Sequence, residues 1–172
     1  MNHFAVPLLI LVLVAFGVLL LGDFVATFIY HVPEHVFGRY HSLVHHSPDR
    51  SFVRYSIRYR RPQALIPGFL GALPYLMWVP IFWPISPVGT AMGLSLAEAH
   101  VIWRHQFETG GQTPLSLQRL CRYLCITTPE RHQQHHRNAN LAYGDIFTFY
   151  GRPALLWLRW LRRLKRQISQ TT

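Results

Sequence analysis

The sequence predicts an all-α integral membrane protein with about three membrane helices, one at the N-terminus and two forming a proline-rich hairpin. Three observations carry that reading. Residues 4 to 21, FAVPLLILVLVAFGVLLL, run eighteen positions without a charge, long enough for a span. Residues 64 to 97 form a second charge-free stretch. Basic residues avoid both regions and gather at Arg39, between Arg50 and Arg61, and from Arg104 onward. With 17 Lys plus Arg against 7 acids, the net charge is +10, although 50% of the residues are apolar. Such a balance suits either nucleic acid or basic membrane loops, and the segregation favours the membrane over nucleic acid. At 172 residues the chain fits one domain, 1–172.

The first helix is expected over about 4–30. Its leading residues, MNH, carry no Lys or Arg, and no small-residue cleavage site follows the apolar run, so a retained helix is read rather than a signal peptide. Such a helix reaches about 40 Å, beyond a hydrocarbon core about 30 Å thick, so its end should emerge near His31. A polar segment then runs to Gln63. The stretches 64–83 and 86–103, parted by Pro84 and Pro87, are each near one span in length and read as a hairpin. Pro67, Pro74 and Pro80 invite kinks, which leaves a re-entrant pair as the alternative. Either way the chain returns to the side it left. The uncharged turn and the basic flanks place the N-terminus outside and ten of the histidines at the cytoplasmic face. In the tail, 153–166, Trp157, Trp160, Leu161 and Leu164 share one helical stripe among arginines, as in an interfacial amphipathic helix meeting acidic lipid heads. Cys121 and Cys125 form no metal or redox motif and read as small apolar residues.

Ten of the eleven histidines fall into four groups. HVPEH holds His31 and His35; HSLVHH holds His41, His45 and His46; HVIWRH holds His100 and His105; HQQHH holds His132, His135 and His136. On a helix, spacings of three and four put imidazoles on one face. A lone histidine is most simply a hydrogen-bonded structural residue. Four groups at one membrane face ask for what Lys and Arg cannot give, a neutral nitrogen donor for a transition metal. A tetrahedral zinc site would leave most of them idle. Ten imidazoles can instead serve two ions with four or five nitrogens each. No E-x-x-H repeat of carboxylate-bridged di-iron bundles is present, so a histidine-rich iron pair fits better, and calcium and magnesium do not fit.

The ordered set LLLGDF, IYHVPEH, HSLVHH, an intervening His, TPERHQQHH and NLAYGD resembles the membrane fatty acid hydroxylase and sterol desaturase superfamily, from Asp23 to about Gly151. The resemblance implies a di-iron centre that uses O2 and two electrons to hydroxylate or desaturate a long-chain lipid. It implies His31, His35, His45, His46, His132, His135 and His136 as metal ligands, with His41 the leading member of the second motif. His100 or His105 would supply the intervening histidine, with His100 preferred because it follows directly on the span. Asp23 matches an acid in the preceding helix and is better placed for support or charge balance than for ligation.

Departures accompany the match. One extra residue separates His41 from His45, Val32 stands where the family usually has Arg, Pro33 interrupts the first motif, and the chain is short. No flavin or haem motif occurs, so electrons are expected from a small acidic partner, ferredoxin- or cytochrome b5-like, docking on the basic face. An apolar tunnel should measure carbons from a polar head held at the basic surface. The competing readings are a non-catalytic membrane metal-binding protein and a membrane adaptor whose histidines bond lipid phosphate.

Overall fold

A computed structural model describes residues 5–38, 43–44, 52–105 and 112–171. His41, His45 and His46 lie outside the described residues. Among those described, the secondary structure is helical, with one isolated antiparallel bridge between Ile126 and Phe147.

Helix α1, Ala5–Val25, passes through a π-helical turn, Ala26–His31, into α2, Val32–Phe37. This continuous run, Val6–Phe37, is the one described segment long and apolar enough to cross a membrane. From the sequence, Pro33 is expected to end or kink the helix, so that His31 and His35 need not stack one turn apart. Instead Pro33 enters where the backbone changes register, so its missing N–H interrupts no regular helix interior. The two rings stay 5.0 Å apart.

After α3, Phe52–Tyr59, the first arm of the predicted hairpin breaks into α4, Leu65–Leu70, α5, Leu73–Leu76, and α6, Val79–Phe82. Pro74 and Pro80 each sit in the first turn of a new piece, which is where a residue without an N–H costs least. The second arm is unbroken: α7, Pro87–Arg104, begins with Ser86 accepting from the Gly89 amide at 3.1 Å. Helix α8, Leu115–Tyr123, α9, Pro129–Arg137, and α10, Gly151–Thr171, complete the chain.

Glycines let α1 take neighbours on two sides. Gly17 and Gly22 receive Phe82 and the Tyr75 ring. From α7, Gly89 and Gly93, four apart, come up against the α1 backbone at Leu11 and Ala15. A Cβ on Gly93 would lie 2.8 Å from the Val18 Cβ and 2.9 Å from the Ala15 carbonyl, both fixed by the helix. Gly93→Val is therefore expected to destabilise the fold by at least about 1–3 kcal/mol, read as a lowered thermal midpoint in detergent. An unchanged midpoint would contradict this close approach.

Helix α10 does not offer its predicted stripe to the bilayer as a unit. Ala154, Leu158 and Leu161 are buried against Val32, Val36 and Tyr143, and Trp157 Nε1 donates to the Phe28 carbonyl at 2.9 Å. Trp160 and Leu156 remain exposed. A second core joins Ala26, Tyr75, Ala97, Ile146 and Phe147. Between the two cores the chain brings the end of α1–α2, the end of α7 and the whole of α9 together.

Candidate metal centre

Helix α9 supplies the centre of the site. Thr128 caps it by accepting from the Arg131 amide and Pro129 takes the first helical position, so a polar nine-residue helix starts sharply. His132 and His136 are one turn apart and face one way, while His135 points to the other side. The H-x-x-H-H spacing thereby divides its imidazoles between two places.

The first place is a triad of His31, His35 and His135, whose ligand nitrogens lie within 4.8 Å of one another. His135 Nε2 stands 3.1 Å from His31 Nε2 and 3.0 Å from His35 Nε2. The second is a triad of His105, His132 and His136, again within 4.8 Å. There His132 Nε2 is 3.0 Å from the Nε2 atoms of both His105 and His136. The rings of His132 and His135 are 6.1 Å apart, so the triads adjoin.

Tautomers decide what these short approaches mean. His31 Nδ1–H donates to Asp145 Oδ1 at 2.9 Å, His135 Nδ1–H to the Leu141 carbonyl at 2.9 Å, and His105 Nδ1–H to the Val101 carbonyl at 2.6 Å. In its neutral form each of these rings aims a lone pair from Nε2. The His31 and His135 lone pairs would then meet with no proton between them, an arrangement that a cation relieves. An imidazole–metal distance of about 2.1 Å with right-angle ligation separates neighbouring nitrogens by about 3.0 Å, so the donor set fits a transition ion at each triad. Holding each imidazole through its far nitrogen is the usual outer support of a metal-ligating histidine.

That support is built from acids and one buried cation. Asp145 Oδ1 also pairs with Arg104 Nη1 at 3.0 Å, and both side chains are only 10% exposed. Burial alone would raise the Asp145 carboxyl, but the Arg104 guanidinium and then His31 outweigh it and hold it well below the usual carboxylate range. Asp23, fully buried, accepts from Thr27 Oγ1 at 3.1 Å, from the Asp145 amide at 3.1 Å and from the Phe147 amide at 2.6 Å. It ties the segment bearing Asp145 to α1 and makes no direct approach to a triad in these bonds. Gly144, at φ +100°, turns the chain so that Asp145 reaches inward, and a Cβ there would lie 2.3 Å from the Phe147 carbonyl. The Tyr143 ring packs on His135 at 4.6 Å, on His31 at 5.4 Å and on His35 at 5.6 Å.

The intervening histidine in the second triad is His105. His100, preferred from sequence, donates Nε2–H to the Thr127 carbonyl at 2.9 Å and belongs to neither triad. It steadies the strand-like pairing of Cys125–Thr127 with Ile146–Thr148 that leads into α9. Arg104, Asp145 and Tyr143 were not singled out as site residues by the sequence. Ending the charge-free stretch on α7, Arg104 reads there as one more basic flank, and nothing in its spacing reveals a partner forty-one residues on.

Burial, then the Arg104 guanidinium, pushes His132 well below the ordinary 6.5 and His105 down to about 4. Both rings are thus neutral and ready to ligate at pH 7. The folded chain resists protonation that the unfolded chain accepts. Their contribution to stability is therefore complete above about pH 6.5 and is lost as the pH falls toward 4. The urea midpoint of the metal-free protein is expected to be flat from pH 7 to 8 and to fall through that acid window; a midpoint unchanged at pH 5 would contradict the assignment of buried neutral rings.

The sequence model for fatty acid hydroxylase matches residues 12–153, a span that includes both triads and their supports. Neither a curated protein nor a solved structure gives a significant match. Enzymes of this family are oxidoreductases associated with membranes. The match covers most of the chain, including most of the one described membrane-length helix, and on that basis the protein belongs to the fatty acid hydroxylase family.

Proposed function

We propose that the chain is an iron-dependent enzyme that uses O2 to hydroxylate or desaturate a long-chain lipid, with one iron in each histidine triad. The observation that carries this reading is the convergence of Nε2 lone pairs in two adjoining triads sharing one short helix. Two bound irons would supply the activation of oxygen and the breaking of an unactivated C–H bond, which no amino-acid side chain can do. The protein's own part is to hold and to exclude. Asp145 and the Leu141 carbonyl keep protons on the far nitrogens of His31 and His135, so both near nitrogens stay available. Arg104 keeps Asp145 charged beside His31. Tyr143 and the near-complete burial of His132 and His135 shield the centre from water.

In this reading Val6–Phe37 crosses the bilayer with the N-terminus outside. About 20 residues suffice to cross the hydrocarbon, so His31 and His35 reach the far surface. The broken arm and α7 lie in the membrane beside it, and the triads open toward the cytoplasm. A small acidic redox protein, ferredoxin- or cytochrome b5-like, delivers electrons at the basic face.

The test is lipid profiling of cells that express the wild type or His132→Ala/His136→Ala, with and without oxygen. A lipid gaining one oxygen or losing two hydrogens, dependent on O2 and absent in the variant, is the expected result. Bound metal with no oxygen-dependent lipid product would instead favour a non-catalytic metal-binding protein.

A further inference from the structure

Beside the first triad lies a cleft of about 570 Å³, lined by His35 and Val36 on one side and by Arg159, Arg162, Arg163, Lys165 and Arg166 of α10 on the other. Its volume is in the range of small-ligand sites. Two of the cations build its walls. Lys165 Nζ donates to the Val36 carbonyl and sits 5.8 Å from the Phe37 ring centre, and Arg162 donates to Asn140 Oδ1. The remaining three, Arg159, Arg163 and Arg166, have no ion pair with any described carboxylate.

A helix gains nothing by gathering them. Arg159, Arg163 and Arg166 fall at i, i+4 and i+7, on one face, and like charges at that spacing repel. No acid occurs anywhere from Gly151 to Thr172 to offset them. The helix dipole offers little, because its attraction for cations is confined to the last turn and α10 runs on to Thr171. Meanwhile the other helical stripe, Ala154, Leu158 and Leu161, fixes α10 against α2, so the row of charges is held over His35 by packing. A row of guanidinium groups so held is suited to a doubly charged oxyanion, which arginine binds through paired hydrogen bonds.

We propose that this cleft is a phosphate site that holds the head of the lipid substrate, so that the enzyme acts on a lipid with a terminal phosphate rather than a neutral or zwitterionic head. The inference rests on the lipid-oxidising reading above and adds the class of head to it. It also places the head on the His31–His35–His135 side of the centre, away from the His105 triad.

Phosphorus NMR on the metal-free full chain in maltoside micelles tests it, with dodecyl phosphate, dodecylphosphocholine and inorganic phosphate as probes. Dodecyl phosphate is expected to bind saturably. Its affinity should fall by at least about tenfold in Arg159→Gln/Arg163→Gln/Arg166→Gln, and by less in Arg163→Lys, which keeps the charge but gives up the paired hydrogen bonds. A second triple variant, Arg119→Gln/Arg122→Gln/Arg152→Gln, removes equal charge outside the cleft and should bind as the wild type does. Equal losses in the two triple variants would overturn the proposal in favour of general attraction to an anionic surface. Equal affinity for inorganic phosphate would overturn the lipid assignment and name free phosphate as the ligand. Dodecylphosphocholine binding as tightly as dodecyl phosphate would overturn the requirement for a terminal phosphate. All the exchanged arginines are exposed, and helical circular dichroism matching the wild type establishes that each variant is folded. Because binding is read without metal, failure here leaves the iron centre untouched, and a protein that binds dodecyl phosphate in the cleft but takes up no iron fails only in the oxygenase reading.

Discussion

His135→Ala is expected to empty the first triad and spare the second, so that bound metal falls from two ions per chain to one. His135 Nε2 stands 3.1 Å from His31 Nε2 and 3.0 Å from His35 Nε2, whereas the short Nε2 approaches within the second triad run between His132 and its two partners. Product formation should drop by at least about a thousandfold, since removing outer support alone typically costs 10–100-fold in affinity or activity and a ligand costs more. His105→Ala should do the same to the second triad. His100→Ala is the informative contrast. It loses only a bond to the Thr127 carbonyl, so both ions should remain, held no more than about tenfold more weakly, the low end of the loss for outer support. Metal analysis of the three purified variants checks the whole set. Loss of an ion in His100→Ala with both retained in His105→Ala would reverse the assignment.

Asp145→Ala should damage stability and metal affinity through separable routes. It strands the Arg104 guanidinium, which is only 8% exposed, and breaking such a pair from one side costs about 3–5 kcal/mol. It also frees His31 to put its proton on either nitrogen, which should weaken the first ion by about 10–100-fold. Adding Arg104→Met removes the stranded charge. The double variant is therefore expected to recover most of the thermal stability while its metal affinity stays low. Recovery of both together would mean that Asp145 acts on the metal only through the fold. Asp23→Asn should be milder for the metal, because Asp23 grips the amides of Asp145 and Phe147 rather than a ligand.

Much of the centre was legible because short-range spacing survives folding. His31 with His35, and His132 with His136, are one helical turn apart in sequence and meet in the structure. The apolar run of α1 likewise needs no tertiary information, and the position of Asp23, one turn before Thr27 and two before His31, already points to support. What failed to show was long-range. The pairing of Arg104 with Asp145, the Tyr143 ring on three imidazoles and the exchange of His100 for His105 depend on how α7 ends against α9. His100 follows the span more directly, yet one further turn of α7 carries His105 to His132. The hairpin's first arm was suspect from its prolines, but the points of breakage depend on where Tyr75 and Phe82 find gaps at Gly22 and Gly17. In α10 the arginine-flanked stripe was visible, but the buried one is rotated to Ala154, Leu158 and Leu161, since α2 rather than lipid covers it.

If two triads hold two irons, metal stoichiometry will report both. Full-length protein expressed in iron-replete cells and purified in detergent would be analysed by mass spectrometry beside His132→Ala/His135→Ala/His136→Ala, which removes ligands from both triads. About two irons per chain, absent from the variant, is the expected result. A single zinc, or no metal above the level of the variant, would contradict it.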